Sequence, residues 1–446
     1  MLKTFSLGGI HPADKKLTAD KTVIEAPLPQ TVYIPCSQHI GAPAEIIVAK
    51  GDKVVVGQLI AKAKGFVSAN IHSSVSGTVM QIGNIPDAGG TPKQGVIINV
   101  EGDQWLENID LNPEINRNIS NVDKNEIINR VTSAGVVGMG GATFPTNVKL
   151  SVPLEKKADT VIINGVECEP YLTADHRVMI EKGEQVLIGA QLIKKAVGAD
   201  IAYIGIENNK PDAIKHLKEL SSGLDGISIV PLKMKYPQGG EKQLIKAVTG
   251  REVKSGRLPI DEGAVVQNAE TALAIYEAVQ KNMPLIKRVV TVSGDSVKNP
   301  GNFLVRIGTP IKELIELAGG LPEDTGKIIL GGPMMGKAVT DLNIPVIKGT
   351  SGITILTQQN SKRREVQNCI KCGRCVQACP MGLEPYLISV YSKNQMFDLC
   401  EQNYITDCIE CGCCMFSCPA SRPLLDYMRL GKRSVMNIIK SRTIKK

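Results

Sequence analysis

Near the carboxyl end stands Cys369 to Pro380, "CIKCGRCVQACP", and about thirty residues later Cys408 to Pro419, "CIECGCCMFSCP". Both obey C-x2-C-x2-C-x3-C-P. Three thiolates at this spacing wrap one face of an iron–sulfur cube, and the fourth, thrown outward by the proline turn, ligates the other cube of a two-cluster pair. This assigns Cys369, Cys372, Cys375 and Cys418 to one [4Fe–4S] cluster, and Cys408, Cys411, Cys414 and Cys379 to the second. Zinc knuckles place their ligands as two separated pairs, which the doubled run does not. The other cysteines, Cys36, Cys168, Cys400 and Cys413, fall outside the pattern and read as small apolar packing residues.

A chain of 446 residues has room for two to four cored domains. With 43% hydrophobic and 22% charged residues it has the composition of a water-soluble globular protein. No apolar run is long enough to span a bilayer, and the N-terminal stretch "MLKTFSLGGIHPADKK" is interrupted by glycine, proline and charge, unlike a signal peptide. A cytoplasmic location is therefore expected, and clustered cysteines there point to metal rather than disulfides. The net charge of +8 comes without a dense arginine run or interleaved aromatics, which argues against nucleic-acid binding. The most basic stretch, Arg429 to Lys446, reads as a solvated tail or as an anchor to an anionic surface.

Six segments are expected. Residues 1–29 form an N-terminal segment. Residues 30–105 show short alternating strands and turns ("KGD", "SGT"), a small all-β unit similar to the biotinyl/lipoyl-like barrel-sandwich fold. Its turns carry no modifiable lysine motif, so a swinging-arm role is not expected. In 120–285 strands such as "TVIING" and "DIAYIGIE" alternate with helical stretches, the first running "HRVMIEKGEQVLIGAQLIKKAV"; this is the pattern of a Rossmann-type parallel α/β sheet with ligands at its strands' carboxyl ends. Residues 286–345 suggest a small β-grasp module whose helix Gly319 and Gly320 stop. Residues 360–425 are the two-cluster domain, and 426–446 the basic tail. The fold class is thus multidomain, α/β plus all-β.

Upstream of the cysteines, "SAGVVGMGGATFPTNVKL" supplies Gly138, Gly140 and Gly141, which permit close backbone approach to a phosphate or flavin, with Lys149 as counter-charge. Such a stretch can equally be a plain turn. Asn164, Glu167 and Glu169 follow a strand, although carboxylates there also serve as helix starts. "YPQGGEKQLI" and "VVQNAET" add Tyr236, Glu241, Gln267 and Asn268; Tyr236 is as well suited to packing as to ligand contact. The five histidines share no evident site and read as structural.

In order, these motifs resemble the flavin subunit of respiratory complex I, with its "GRGGAGFPTGxKW", "NADExEPG", "YxxGEE" and "NNVET". The whole layout, from "GGIHP" (Gly8 to Pro12) through barrel-sandwich, flavin domain, SLBB-type β-grasp and "GGPMMG" to the ferredoxin-like domain, is similar to the C subunit of the Rnf electron-transport complex. The resemblance implies that Gly138, Gly140, Gly141 and Lys149 cradle FMN. It implies that Asn164, Glu167, Gln267 and Asn268 touch its ring or ribityl chain, that Phe144 stacks on the dinucleotide, and that Glu169 and Glu241 lie toward the nicotinamide, with Tyr236 among the cofactor-binding candidates. Met139, Val166 and Gly240 depart from the complex I motifs.

The implied activity is hydride exchange between NAD(H) and FMN with single electrons passed through two [4Fe–4S] clusters. It would be carried out peripherally on the cytoplasmic side of a membrane, with integral membrane and iron–sulfur subunits as partners and ferredoxin served indirectly. A cobalamin reductase of diol-utilisation microcompartments shares the layout; a flavin-less wiring module is a further alternative, and would bind no flavin.

Overall fold

The structure is a computed structural model describing residues 2–444. In the barrel-sandwich unit, Thr31–Pro35, Lys93–Gly102, Ser76–Ile85 and Lys53–Val54 form one antiparallel sheet, and Glu45–Ile46, Leu59–Lys62 and Ile71–His72 a second. Side chains alternate along a strand, so Val32 and Ile34 point inward with Val79, Val96 and Ile98 while Tyr33 is half-exposed.

The α/β unit is a four-stranded, wholly parallel sheet in the spatial order Ile227–Leu232, Ile201–Glu207, Thr160–Asn164, Ala264–Asn268. Val161, Ile162 and Ile163 are fully buried, as in a strand covered by helices on both faces. The order reverses beside Thr160–Asn164: the chain adds two strands on one side, then returns to place Ala264–Asn268 on the other. A crevice at such a reversal is where open α/β sheets bind ligands.

The single long helix expected from His176 to Val197 is two, Ala174–Glu181 and Gly183–Val197, with Lys182 leaving helical geometry between them. A Cβ on Gly183 would lie 3.0 Å from the side chains of Leu217 and Leu220, so the second helix opens on a glycine that packs closely against its neighbour.

The β-grasp unit extends past its expected limit of 345. Its six-stranded sheet runs Val23–Glu25, Gly301–Arg306, Lys287–Ser293, Gly352–Thr357, Thr325–Leu330, Lys337–Val339. The first strand comes from the N-terminal segment, which is therefore woven through the molecule rather than leading into it. Short apolar runs do not announce their partners, and this pairing is non-local. Helix Ile311–Leu317 does end before Gly319 and Gly320, both at positive φ.

The stretch expected as a separate basic tail, 426–446, belongs to helix Leu424–Ile444. Met428 and Val435 sit seven residues apart on one face and pack with Ile388, Cys400 and Ile405 against the cysteine module. The last two residues of that stretch lie outside the described residues. Among the described residues no helix is long and apolar enough to cross a membrane.

Candidate functional site

A cavity of about 530 Å³ opens at the sheet's reversal point, within the range of cofactor sites. Asn164 and Asn268, paired in register at the ends of adjacent strands, both line it, with Gln267 beside them. Gly138, Gly140, Gly141 and Phe144 form a second wall; Lys149, Gly239 and Glu241 also face in.

The glycine loop is held closed on itself: the Gly138 N–H donates to the Phe144 carbonyl at 2.9 Å, and the Met139 N–H to Thr271 Oγ1 at 2.9 Å. Met139 is buried, and the Arg288 guanidinium donates to its carbonyl from beneath. A Cβ on Gly140 would fall 2.8 Å from Asn268 Nδ2, whereas one on Gly141 would meet nothing within 4 Å. Lys149 Nζ donates to Glu241 Oε1 at 2.7 Å and to the Val266 carbonyl, placing one cation and one anion at the rim. Gln267 is 2% exposed, and its Nε2 meets no acceptor among the described residues. A buried amide donor left so costs about 1–3 kcal/mol, and a flavin ring edge offers the acceptor it lacks. Loop, amide and counter-charge together fit FMN.

Asn268 is oriented by a residue the sequence reading missed. Its Nδ2 donates to Asp175 Oδ2 at 2.7 Å while its Oδ1 accepts from the Thr271 N–H. Burial, with the Glu167 and Glu270 carboxylates nearby, pushes Asp175 up to about 8. Ile40 and Phe66 also line the cavity and were missed, because they come from the barrel-sandwich unit, about seventy to a hundred residues upstream of the glycine loop in sequence.

Three expected site residues lie elsewhere. Glu167 turns back to accept the Asp175 N–H at 2.9 Å, capping helix Ala174–Glu181, the alternative that a carboxylate at a strand–helix junction always carries. Glu169 accepts the N–H groups of Met334 and Met335 at 3.0 and 2.8 Å, so it clamps the "GGPMMG" loop, and burial pushes its carboxyl up to about 7. Tyr236 is buried against the cysteine module, its hydroxyl donating to the Cys411 carbonyl at 2.9 Å.

In that module Cys379 joins Cys408, Cys411 and Cys414 around one hollow, so the fourth cysteine of the first run crosses to the second. Burial first, then the nearby Cys418, raises the Cys375 thiol, while Cys369 and Cys372 are exposed. None of the twelve cysteines is paired in a disulfide. Among the described residues no three or more His, Cys, Asp or Glu close around a common ion, whereas a cube spreads its four thiolates over separate irons. Burial first, then neighbouring Cys411 and Cys379, pushes the Cys408 thiol up to about 11. Four thiolates packed around one hollow need a compensating cationic core, and the set fits an iron–sulfur cube.

The two centres share a wall. Gly239 lines the cavity, its carbonyl accepting from Asn164 Nδ2 at 2.9 Å, and three residues earlier Tyr236 holds Cys411. The Gln243 amide, on the helix that follows, donates to the Pro380 carbonyl at 3.3 Å. Gly8 of "GGIHP" also meets this module: a Cβ there would lie 2.4 Å from the Cys379 carbonyl oxygen.

Comparison with known families agrees with this layout. Residues 3–103 match the RnfC barrel sandwich hybrid domain, 131–277 the Nuo51 FMN-binding domain, 289–338 the SLBB domain and 345–384 a 4Fe-4S dicluster domain. The chain is 49% identical to the C subunit of the proton-translocating ferredoxin:NAD(+) oxidoreductase complex of Clostridium ljungdahlii, over 91% of this chain and 88% of that one. It is 46% identical to the Na(+)-translocating counterpart of Acetobacterium woodii over 96% of each. It is 43% identical to the C subunit of the ion-translocating oxidoreductase complex of Rhodobacter capsulatus over 86% of this chain and 74% of that one. With its FMN-binding and 4Fe–4S domains in the order their motifs foretell, this chain belongs to the C-subunit family of the Rnf-type ion-translocating ferredoxin:NAD+ oxidoreductases.

Proposed function

We propose that this chain is the NAD(H)-facing subunit of an Rnf-type complex, seated peripherally on the cytoplasmic face of a membrane. Integral membrane and iron–sulfur partners translocate the ion and deal with ferredoxin. When bound, FMN takes or gives a hydride as an electron pair and exchanges single electrons with the two [4Fe–4S] clusters, joining two-electron to one-electron chemistry. The likeness to C subunits of ferredoxin:NAD(+) oxidoreductase complexes favours this reading over a cobalamin reductase, and the unpartnered Gln267 amide in the wall of a cavity of cofactor size favours it over a flavin-less module.

The observation that carries the reading is the segment from Tyr236 to Glu241. One end lines the cavity through Gly239 and Glu241, and the other is hydrogen-bonded to Cys411. The quartet of Cys379, Cys408, Cys411 and Cys414 is thereby the inner one. The quartet with exposed Cys369 and Cys372 is the outer one, where a partner can approach. Within the cavity, Asn164, Gln267 and Asn268 orient a flat ring by their amides, the glycine loop admits a phosphate, and Lys149 with Glu241 sets the charge at the rim.

The test is anaerobic reduction by NADH of the full chain reconstituted with FMN, iron and sulfide, followed by flavin absorbance and cluster paramagnetism. About eight irons and one flavin per chain are expected. In Cys369→Ser the inner cluster should still be reduced through the flavin; in Cys411→Ser the outer one should not be. Reduction of the outer cluster in Cys411→Ser, or a flavin that NADH leaves oxidised, contradicts the proposal.

A further inference from the structure

The barrel-sandwich unit is fastened to the flavin-site loop by contacts a merely tethered domain would not need. Lys348, 1% exposed, donates from Nζ to the Asn70 carbonyl on this unit and to the Gly135 carbonyl just before the glycine loop, both at 2.7 Å. Its backbone N–H donates to Gln38 Oε1, again on the barrel-sandwich side. The Ile40 N–H donates to the Thr143 carbonyl of the glycine loop at 3.3 Å.

Two loops of the unit are zipped together at this junction. The Ala42 N–H donates to the Val67 carbonyl, Ser68 Oγ donates to the Ala42 carbonyl, and buried His39 accepts the Ala69 N–H at Nε2. Gly41, at φ +108°, lies where a Cβ would come within 2.0 Å of the Val67 oxygen. What this scaffold presents to the cavity is Ile40 and Phe66, the latter 69% exposed. A rigid platform holding an exposed aromatic ring at the edge of a cavity that Phe144 also lines is the arrangement that stacks a flat heterocycle.

The geometry points to Phe66 as a dinucleotide-binding residue supplied by the barrel-sandwich unit, stacking on the adenine of NAD(H). This rests on the reading of the cavity as the FMN and NAD(H) site. Adenine, rather than nicotinamide, follows from depth. The amides of Asn164 and Gln267 mark the inner end, where the hydride-carrying ring must lie against the flavin, and Phe66 stands at the exposed mouth, where the far end of the dinucleotide emerges.

The experiment measures dissociation constants of NADH and of reduced nicotinamide mononucleotide, which lacks adenine, on the FMN-loaded full chain and its variants. Phe66→Ala should weaken NADH about tenfold, the scale of one base–aromatic stack. Phe66→Trp should restore it. Both should keep one flavin per chain and bind the mononucleotide as the parent does. Unchanged NADH affinity in an FMN-loaded Phe66→Ala protein overturns the proposal, as does an equal loss for the mononucleotide. A parent chain that takes up no FMN sinks the flavin reading instead, and the flavin count separates the two failures.

Discussion

Gln267 concentrates the argument about the flavin pocket in one side chain. Its amide is buried at the end of strand Ala264–Asn268 with Nε2 lacking an acceptor, so the ligand-free chain bears a cost that a bound ring edge removes. Gln267→Leu should therefore leave the thermal midpoint of the flavin-free protein unchanged or raised, while weakening FMN about tenfold, the equivalent of one hydrogen bond of about 1.4 kcal/mol. Calorimetry with and without FMN reads both effects, and equal FMN affinity in the variant would show the amide to be idle. Gln267 and Lys149 were legible in the sequence because strand ends and glycine loops advertise themselves. Glu167 and Glu169 were read from the same logic and point elsewhere, since a carboxylate's position along the chain does not tell which way its side chain turns. Glu169 turns to the "GGPMMG" amides, a partner more than 160 residues away that spacing cannot reveal.

Among elements, the cysteine runs were the most legible, because ligand chemistry dictates their spacing and the crossing of Cys379 and Cys418 follows from it. Less legible was the segment Tyr236 to Gly240, whose importance lies in its two neighbours rather than in its own letters. Its outer end is docked by the Tyr236 hydroxyl on the Cys411 carbonyl and by the Cys413 thiol on the Tyr236 carbonyl. Tyr236→Phe removes the first bond and leaves a buried carbonyl without it, a loss of about 1 kcal/mol in how firmly the module is held. The expected result is NADH reduction of the flavin at the parent's rate, with slower appearance of reduced inner cluster in rapid-mixing absorbance. Parent-like kinetics at both centres would reduce Tyr236 to packing. The split helix at Lys182 and the N-terminal strand in the β-grasp sheet were missed for a shared reason. Both are set by non-local packing, of Gly183 on Leu217 and of Val23–Glu25 on Gly301–Arg306, which local periodicity does not encode.

At the scale of the whole molecule, three units meet at the glycine loop, and Lys348 is the pin through them. Burial pushes its ammonium down to about 7, and burial together with that nearby charge pushes His72 down to about 3. Both folded values lie below the ordinary ones, so the unfolded chain binds more protons and stability climbs with pH across each window. For His72 the climb runs from about 3 to 6.5, and for Lys348 from about 7 to 10.5. Below 7 the lysine is charged in both states and its desolvation cost is fully present; as pH rises through 7 the folded form sheds the proton and the cost fades. Lys348→Met deletes this term while orphaning the Asn70 and Gly135 carbonyls, an offset that does not change with pH. The unfolding free energy of the parent should therefore gain on that of Lys348→Met between pH 7 and pH 9, with a slope that approaches but does not exceed about 1.4 kcal/mol per pH unit. Hydrogen exchange at residues 38–44 should report the same trend, because those amides lie where Lys348 joins the barrel-sandwich unit to the flavin loop. A difference that stays flat from pH 7 to 9 would mean that the ammonium keeps its charge at the junction, solvated well enough that the three units are not closed over it.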